Sequence, residues 1–508
     1  MKRFRFLFCA CLLAVSVLAF PMPAVPAPDD PAPAVPAPAG AQSTGSPDDM
    51  FGGNMVQGQA QAQAPAAGQG QAQAPAQGQA AGPESLLQSK GVDIGGYLFS
   101  DYTTFAFWQN AYPSLADPVS GVSSSFVPNL EADVYLDARP YTFFRVFGKL
   151  KVVFPFGGSA LGVSQAQTSP FTSIYSPPPG SGTSVPNISV FELFADVNAD
   201  EKVFLRVGQQ VIHWGVGYFF SPADILSLSP INPLQPALER QGPLALTVSA
   251  PFARVDNAYL YVVANQAMTS AFDPADLGVA PRVELVLGNY EIGVGGYYQK
   301  DQRPKAMMTA TGSLFGTLGI IGEGVVSYGS DRVRVEPSSG APGGWQSFTD
   351  TTTPYFSGTV GLSYGESSQH ISVIVQYYYN GQGYSTLSQE QGAVGLLGSQ
   401  QAALAMGAQP AGPLLSANDL LLPGQHYIAG SAAWADIRAS NLDLGVFYEG
   451  NLSDGSGVVS PYAAYTPFQY FTVTLAPFIG YGEPGSEFMT KFGYFAVSLK
   501  VTVGEGAF

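Results

Sequence analysis

The stretch LEADVYLDARPYTFFRVFGKLKV, residues 130–152, decides the fold. Leu130, Ala132, Val134 and Leu136 alternate with Glu131, Asp133, Tyr135 and Asp137. Successive side chains of a strand point to opposite faces, so this pattern makes one face apolar and the other acidic. A turn follows at Arg139-Pro140-Tyr141. On the return strand Arg145, Phe147, Lys149 and Lys151 share one face, and Phe144, Val146, Leu150 and Val152 the other. An acidic strand thus lies beside a basic one, and opposite charges attract across an antiparallel pair.

A second hairpin repeats the design. Glu192, Phe194 and Asp196 share a face, opposed by Phe191, Leu193, Ala195 and Val197. Beyond Asn198-Ala199-Asp200-Glu201, Lys202, Phe204 and Arg206 share a face. Centring the hairpin on those four residues predicts Asp196 opposite Lys202 and Glu192 opposite Arg206. From Val92 to Val503 there are eighteen such runs, an even number. They are joined alternately by turns of a few residues and by mostly long loops, among them 155–186, 213–243, 329–352 and 381–425. A soluble sandwich has no reason to sort its loops by length, whereas a membrane β-barrel does. In a barrel the charged face is the lumen and the apolar face meets lipid. The expected fold is therefore an all-β, transmembrane, antiparallel up-and-down barrel of about 18 strands, with 16 as the alternative count. The expected pore-lining residues are Glu131, Asp133, Asp137, Arg145, Lys149, Lys151, Glu192, Asp196, Lys202 and Arg206.

Composition agrees. Only 11% of residues are charged, against about 25% in ordinary soluble domains. No continuous apolar run after residue 20 is long enough for a membrane helix. Lys2, Arg3 and Arg5 precede an apolar stretch, Phe6 to Phe20, and small residues follow. That reads as a signal peptide, residues 1–27, cut near Ala24 or Ala27. Cys9 and Cys11, the only cysteines, fall inside it, so the mature chain is expected to hold no disulfide and no cysteine-based metal site. The formal charge is −16; losing three basic residues brings it to about −19, which argues against nucleic acid as a partner. Residues 28–88 are rich in Pro, Ala, Gln and Gly, with QAQAPA at 61–66 and again at 71–76. Such a segment buries too little apolar surface to offset its ordering entropy and is expected to be a disordered linker. It can serve as a tether or as an arm toward the cell wall. The barrel is assigned to 89–508.

At the C-terminus Phe495, Val497, Leu499, Val501 and Val503 alternate with Ala496, Ser498, Lys500 and Thr502, and the chain ends at Phe508. In this the chain resembles the Gram-negative outer-membrane porin-like barrels, whose amphipathic last strand ends in an aromatic residue. Here Gly504-Glu505-Gly506-Ala507 intervenes before Phe508. LRVGQQVIHWG, residues 205–215, also resembles a strand of several porin-like families. The resemblance implies a barrel in the outer membrane of a diderm bacterium, surrounded by lipid, with its linker in the periplasm. It also implies that the barrel-assembly machinery reads Phe508.

RVGQQVIHWGVGYFF, residues 206–220, looks like a strand leaving the membrane. Trp214, Tyr218, Phe219 and Phe220 are expected in the aromatic girdle at the outer interface. Gly215 and Gly217 permit a bend. Ser221, Pro222 and Asp224 look like the start of a short helix running to about Leu228. Loop 213–243 is then either external or folded inward to narrow the pore. His213 reads as a polar residue at the loop base; His370 and His426 fall on other runs with no ligand spacing, so no metal or cofactor is expected.

The function this predicts is a channel for small hydrophilic solutes or ions. One alternative is a transporter of hydrophobic substrates like the long-chain fatty-acid transporters. Their Asn-Pro-Ala hatch motif is absent between Ala80 and Tyr112, but Tyr297 and Trp434 are expected in the lumen. A third reading is a surface-interaction protein, or adhesin, acting through loop 381–425. An enzyme is not expected: there is no Gly-x-Ser-x-Gly elbow, and Ser363 and Ser367 near His370 make no triad.

Overall fold

The computed structural model describes residues 87–507 apart from 90, 109–111, 113–121, 156–186, 200–201, 229–230, 235, 237–238, 253–255, 265–276, 301, 316, 367 and 411. The expected signal peptide, the linker up to residue 86, and Phe508 lie outside the described residues.

Among the described residues twenty-one strands follow in order. They begin with β1 (Leu87–Ser89), β2 (Val92–Trp108), β3 (Ser123–Tyr141), β4 (Phe144–Pro155), β5 (Asn187–Ala199), β6 (Val203–Gln209) and β7 (Leu244–Pro251). Next are β8 (Asn257–Ala264), β9 (Leu277–Leu287), β10 (Tyr290–Tyr297), β11 (Lys305–Leu314), β12 (Leu318–Tyr328), β13 (Val333–Pro337) and β14 (Trp345–Thr349). The last are β15 (Pro354–Glu366), β16 (Ile371–Asn380), β17 (His426–Trp434), β18 (Leu442–Asn451), β19 (Ser456–Phe468), β20 (Phe471–Tyr481) and β21 (Phe495–Ala507). Among the described residues two α-helices, α1 (Leu387–Ala405) and α2 (Glu487–Phe492), lie in connections.

Setting aside β1 and the separate β13–β14 hairpin, eighteen strands pair each with the next, all antiparallel. β2 pairs with both β3 and β21, from Tyr97↔Ala507 to Trp108↔Phe495, which closes the barrel. Closure leaves no free edge, so every strand's backbone is paired inside a membrane. β1 folds back on the start of β2, Leu87↔Ile94.

The turns at one end are short, such as Gly288–Asn289 and residues 469–470. Those at the other run to 34 residues, 210–243, and 45 residues, 381–425, although residues 298–304 and 452–455 are short. The outer surface carries Leu136, Leu150, Leu193, Val207, Leu246, Val294, Met308, Val360, Leu362, Val446 and Leu475, all exposed to solvent in the isolated chain. In lipid that exposure is favourable. Aromatics gather toward the short-turn end of this surface (Tyr141, Phe143, Phe252, Phe315, Trp434, Phe468) and toward the long-loop end (Tyr328, Phe356, Tyr481). Aromatic girdles mark the two interfaces of a membrane barrel. Trp434 is therefore on the outside, contrary to the expectation that it lines the lumen, while Tyr297 is buried inside.

Three local expectations are corrected. First, the β5–β6 hairpin pairs Asp196 with Arg206 and Ala199 with Val203. The turn spends three polar residues, 200–202, rather than four from 198. Lys202 lies in that turn, exposed, not in the pore, and Glu192 is not opposite Arg206. Second, the β4–β5 register shifts between Lys149↔Glu192 and Leu150↔Val190. One residue of β5, Phe191, is left over at this bulge and turns inward, where it is buried. Third, no helix forms at 221–228: that segment is a run of turns, with Asp224 N donating to Ser221 O and Ile225 N to Ala223 O.

Candidate functional site: a constriction inside the barrel

The inward face of β3–β6 carries eight charged side chains as paired ions. Lys151 bonds Glu131, and Lys149 Nζ lies 3.2 Å from Asp133. Arg145 grips Asp137 through two bonds of 2.9 and 3.0 Å and reaches Asp196 at 3.7 Å. Arg206 holds Asp196 bidentately at 2.7 and 3.1 Å. The acid directly opposite Lys151 is Asp133; Lys151 instead reaches diagonally to Glu131, within the range that long side chains span. Rings that the sequence reading did not assign to the site stiffen these cations. Phe194 lies 4.0 Å from the Arg206 guanidinium and 5.8 Å from that of Arg145. Phe191, brought in by the bulge, lies 5.2 Å from Lys149 and 5.3 Å from Lys151. A cation over a ring face is attracted by its quadrupole.

Loop 210–243 runs through the interior. Gln210 ties its start to β7, donating to Ala245 O at 2.9 Å and accepting from Thr247 Oγ1 at 2.9 Å. Val211 N donates to Glu192, which is how that acid is used. Trp214 is 1% exposed; its carbonyl accepts from Arg282 Nη1 at 2.8 Å, and its ring meets Tyr261 edge-on. The chain then reaches the wall formed by β12 and β16. Val216 N, Gly217 N, Ala223 N and Ser221 Oγ all donate to the Glu323 carboxylate. Tyr218 N and Phe219 N donate to Gln376 Oε1 at 3.1 and 2.7 Å, and Gln376 Nε2 donates back to Phe220 O. Successive backbone N–H groups around one carboxylate form an anion nest. Such bonds are what make a buried charge tolerable. Phe219 and Phe220 pack on Phe447, Tyr378 and Tyr427 of β18, β16 and β17. On its return the loop places Glu239 2.5 Å from Lys149, joins Arg240 to Asp224, and sends Gln241 Nε2 to Val190 O.

The loop therefore folds inward. Trp214, Tyr218, Phe219 and Phe220 sit inside the barrel, not in the outer girdle where the sequence placed them. Gly215 and Gly217 act through close approach: a Cβ on Gly215 would stand 1.6 Å from Ser221 Oγ, and one on Gly217 1.9 Å from Phe220 O. Ser221 is not a helix cap because its hydroxyl is taken by Glu323. His213 is half exposed, 3.3 Å from Arg240 Nη2 and 3.7 Å from Asp224. His370 is in the β15–β16 turn, and His426 meets Tyr377 OH at 2.7 Å on the outer face. Among the described residues no three His, Cys, Asp or Glu side chains gather as metal ligands. Water reaches parts of the interior: Lys500, 3.0 Å from Asp101, and Glu239 keep side-chain exposures of 42% and 35%.

The sequence reading missed Glu239, Arg282, Glu323 and Gln376. Glu323 and Gln376 each carried a faint signal, a lone polar residue in an apolar strand (IIGEGVV and SVIVQYY).

No protein-family model matches the chain, and no curated protein does. Solved structures do resemble it. OccK8 (OprE) of Pseudomonas aeruginosa aligns over 82% of this chain and 98% of its own, at 9% identity and a TM-score of 0.48. OccAB1 of Acinetobacter baumannii aligns over 81% and 96%, at 9% identity and a TM-score of 0.47. OpdK of Pseudomonas aeruginosa, solved with vanillate, aligns over 82% and 99%, at 8% identity and a TM-score of 0.46. The chain's own pairing fixes its architecture: it is a closed, eighteen-stranded, antiparallel β-barrel with an apolar outer face.

Proposed function

We propose that the barrel is an outer-membrane channel for small hydrophilic solutes and ions, narrowed by loop 210–243. The observation that carries this reading is a charged, partly wet inward face inside a barrel whose outer face is apolar. Barrels of this strand number leave room for an aqueous channel. We place the short turns and both ends of the barrel chain in the periplasm, with the N-terminal linker free to reach the cell wall and Phe508 available to the assembly machinery. The lining residues we assign are Glu131, Asp133, Asp137, Arg145, Lys149, Lys151, Glu192, Asp196 and Arg206. To these the loop adds Asp224, Glu239 and Arg240. Acids outnumber bases there, seven (Glu131, Asp133, Asp137, Glu192, Asp196, Asp224, Glu239) to five (Arg145, Lys149, Lys151, Arg206, Arg240). Charge in a confined lumen sets ion preference, so the intact pore should favour cations mildly.

The test is the reversal potential in planar bilayers under a KCl gradient. Arg206→Gln should move it further toward cations and Asp196→Asn toward anions. Potentials unmoved by either change would place the ladder outside the conduction path.

A further inference from the structure

At the long-loop end, four pieces of chain meet on one buried cluster of acids. Asn451, at the end of β18, is fully buried and donates through Nδ2 to both Glu390 oxygens, at 3.1 and 3.2 Å, and to Glu487 at 3.0 Å. Glu390 is on α1 and Glu487 opens α2. Asp454, in the turn after β18, accepts from Glu487 N at 2.7 Å and from Ser456 N and Oγ. Tyr427 OH on β17 donates to Glu487 at 2.7 Å. Lys491 on α2 bonds Glu487 and is the basic side chain at the cluster; Glu449 of β18 acts on it and on Glu487 from below. The β13–β14 hairpin on the other side of α1 offers Trp345 and Ser347, neither charged. Phe488 and Phe492 of α2 pack into the same apolar cluster as Phe219 and Phe220 of the constriction loop.

We propose that Glu390, Asp454 and Glu487 form a proton-controlled latch that holds α1, α2 and the β18–β19 turn together, and through Phe488 and Phe492 steadies the constriction. Glu390, Asp454 and Glu487, with Glu449 beside them, share one basic side chain, so the closed cluster is stable only while one of the first three keeps its proton. Glu390 is that one: burial, then the neighbouring Asp454 and Glu487 charges, push its carboxyl up to about 8. Protonated, it is a donor facing the Asp454 carboxylate; ionised, it is a third like charge. Separation of the three pieces would return Glu390 to the ordinary carboxylate value of 4.5. The closed state then binds more protons than the open one between about pH 4.5 and 8. Latching is therefore fully present in acid, weakens as pH rises through that window, and is constant above it.

The mature chain is expected to lack cysteine, so a reporter thiol can be added at Met489, which is buried on α2. The readout is the maleimide-labelling rate of Met489→Cys, divided at each pH by the rate in the same protein carrying Glu390→Gln. The ratio cancels thiol ionisation, and Gln keeps a donor toward Asp454 at every pH. The latch predicts that this ratio rises up to about tenfold per pH unit between pH 5 and 8 and then levels off. A ratio constant from pH 5 to 9 overturns it. If Glu390→Gln does not assemble, Asp454→Asn serves: it removes one like charge, and the rise should shift to lower pH, whereas an unshifted rise contradicts the latch. The coupling to the pore rests on the channel reading, but the labelling does not. A pH-dependent ratio supports the latch even in a barrel that conducts nothing.

Discussion

Two side chains, Glu323 and Gln376, hold the centre of the constriction, and their roles can be separated by substitution. Glu323→Gln keeps the shape but trades a carboxylate oxygen for an N–H₂ group aimed at backbone donors. Losing charge-assisted bonds of this kind costs about 1.5–3 kcal/mol, which should free residues 216–223 and appear as noisier, larger single-channel steps. Gly217→Ala should act in the same way, because its Cβ would overlap Phe220 O and approach Gln376 Nε2 at 2.8 Å. The corrected register gives a sharper contrast. Arg206→Gln should shift the reversal potential, and Lys202→Gln, out in the turn, should leave it unmoved. Most of the ladder was legible because alternation assigns a face without knowledge of the partner strand. The partner within a hairpin was not, because the polar residues 198–202 allow the turn to be centred in more than one place, and moving its centre to 201 changes every partner. Glu323 stayed hidden for another reason: its partners are backbone N–H groups about a hundred residues away, which no side-chain pattern reports.

Among elements, the strands were the legible part, since each must present an apolar face to lipid every second residue. Val360, central in β15 and exposed on the outer face, tests that rule. Val360→Arg should destabilise the folded barrel by about 2–4 kcal/mol, read from urea unfolding in lipid vesicles. An unaffected midpoint would mean that this face does not meet hydrocarbon. What lies between strands was less legible. Phe191 read as lipid-facing by alternation, and only the bulge reverses it. The expected helix after Ser221 fails because a tertiary bond to Glu323 outcompetes the local cap. The reverse happens at 387–405, where Ala, Leu and Gln favour a helix but Gly392, Gly395 and Gly398 hide it. Gly392 is needed there: a Cβ would stand 2.3 Å from the Trp345 ring.

Across the described residues, the fold follows from one requirement, that a low-charge chain with no helix there long and apolar enough to cross a membrane must satisfy its backbone inside a closed sheet. The interior could not be read in the same way. A loop of 34 residues, 210–243, is long enough to leave the barrel or to cross it. The choice depends on acceptors contributed by β5, β12 and β16, far apart in sequence. The central claim is that this crossing loop sets the width of a conducting pore. Its most direct test is single-channel conductance in planar bilayers, comparing the intact protein with one lacking residues 218–238. The intact protein should give discrete steps and the shortened one clearly larger steps. Equal steps would show that the loop does not limit conduction, and the absence of steps from both correctly assembled barrels would contradict the channel itself.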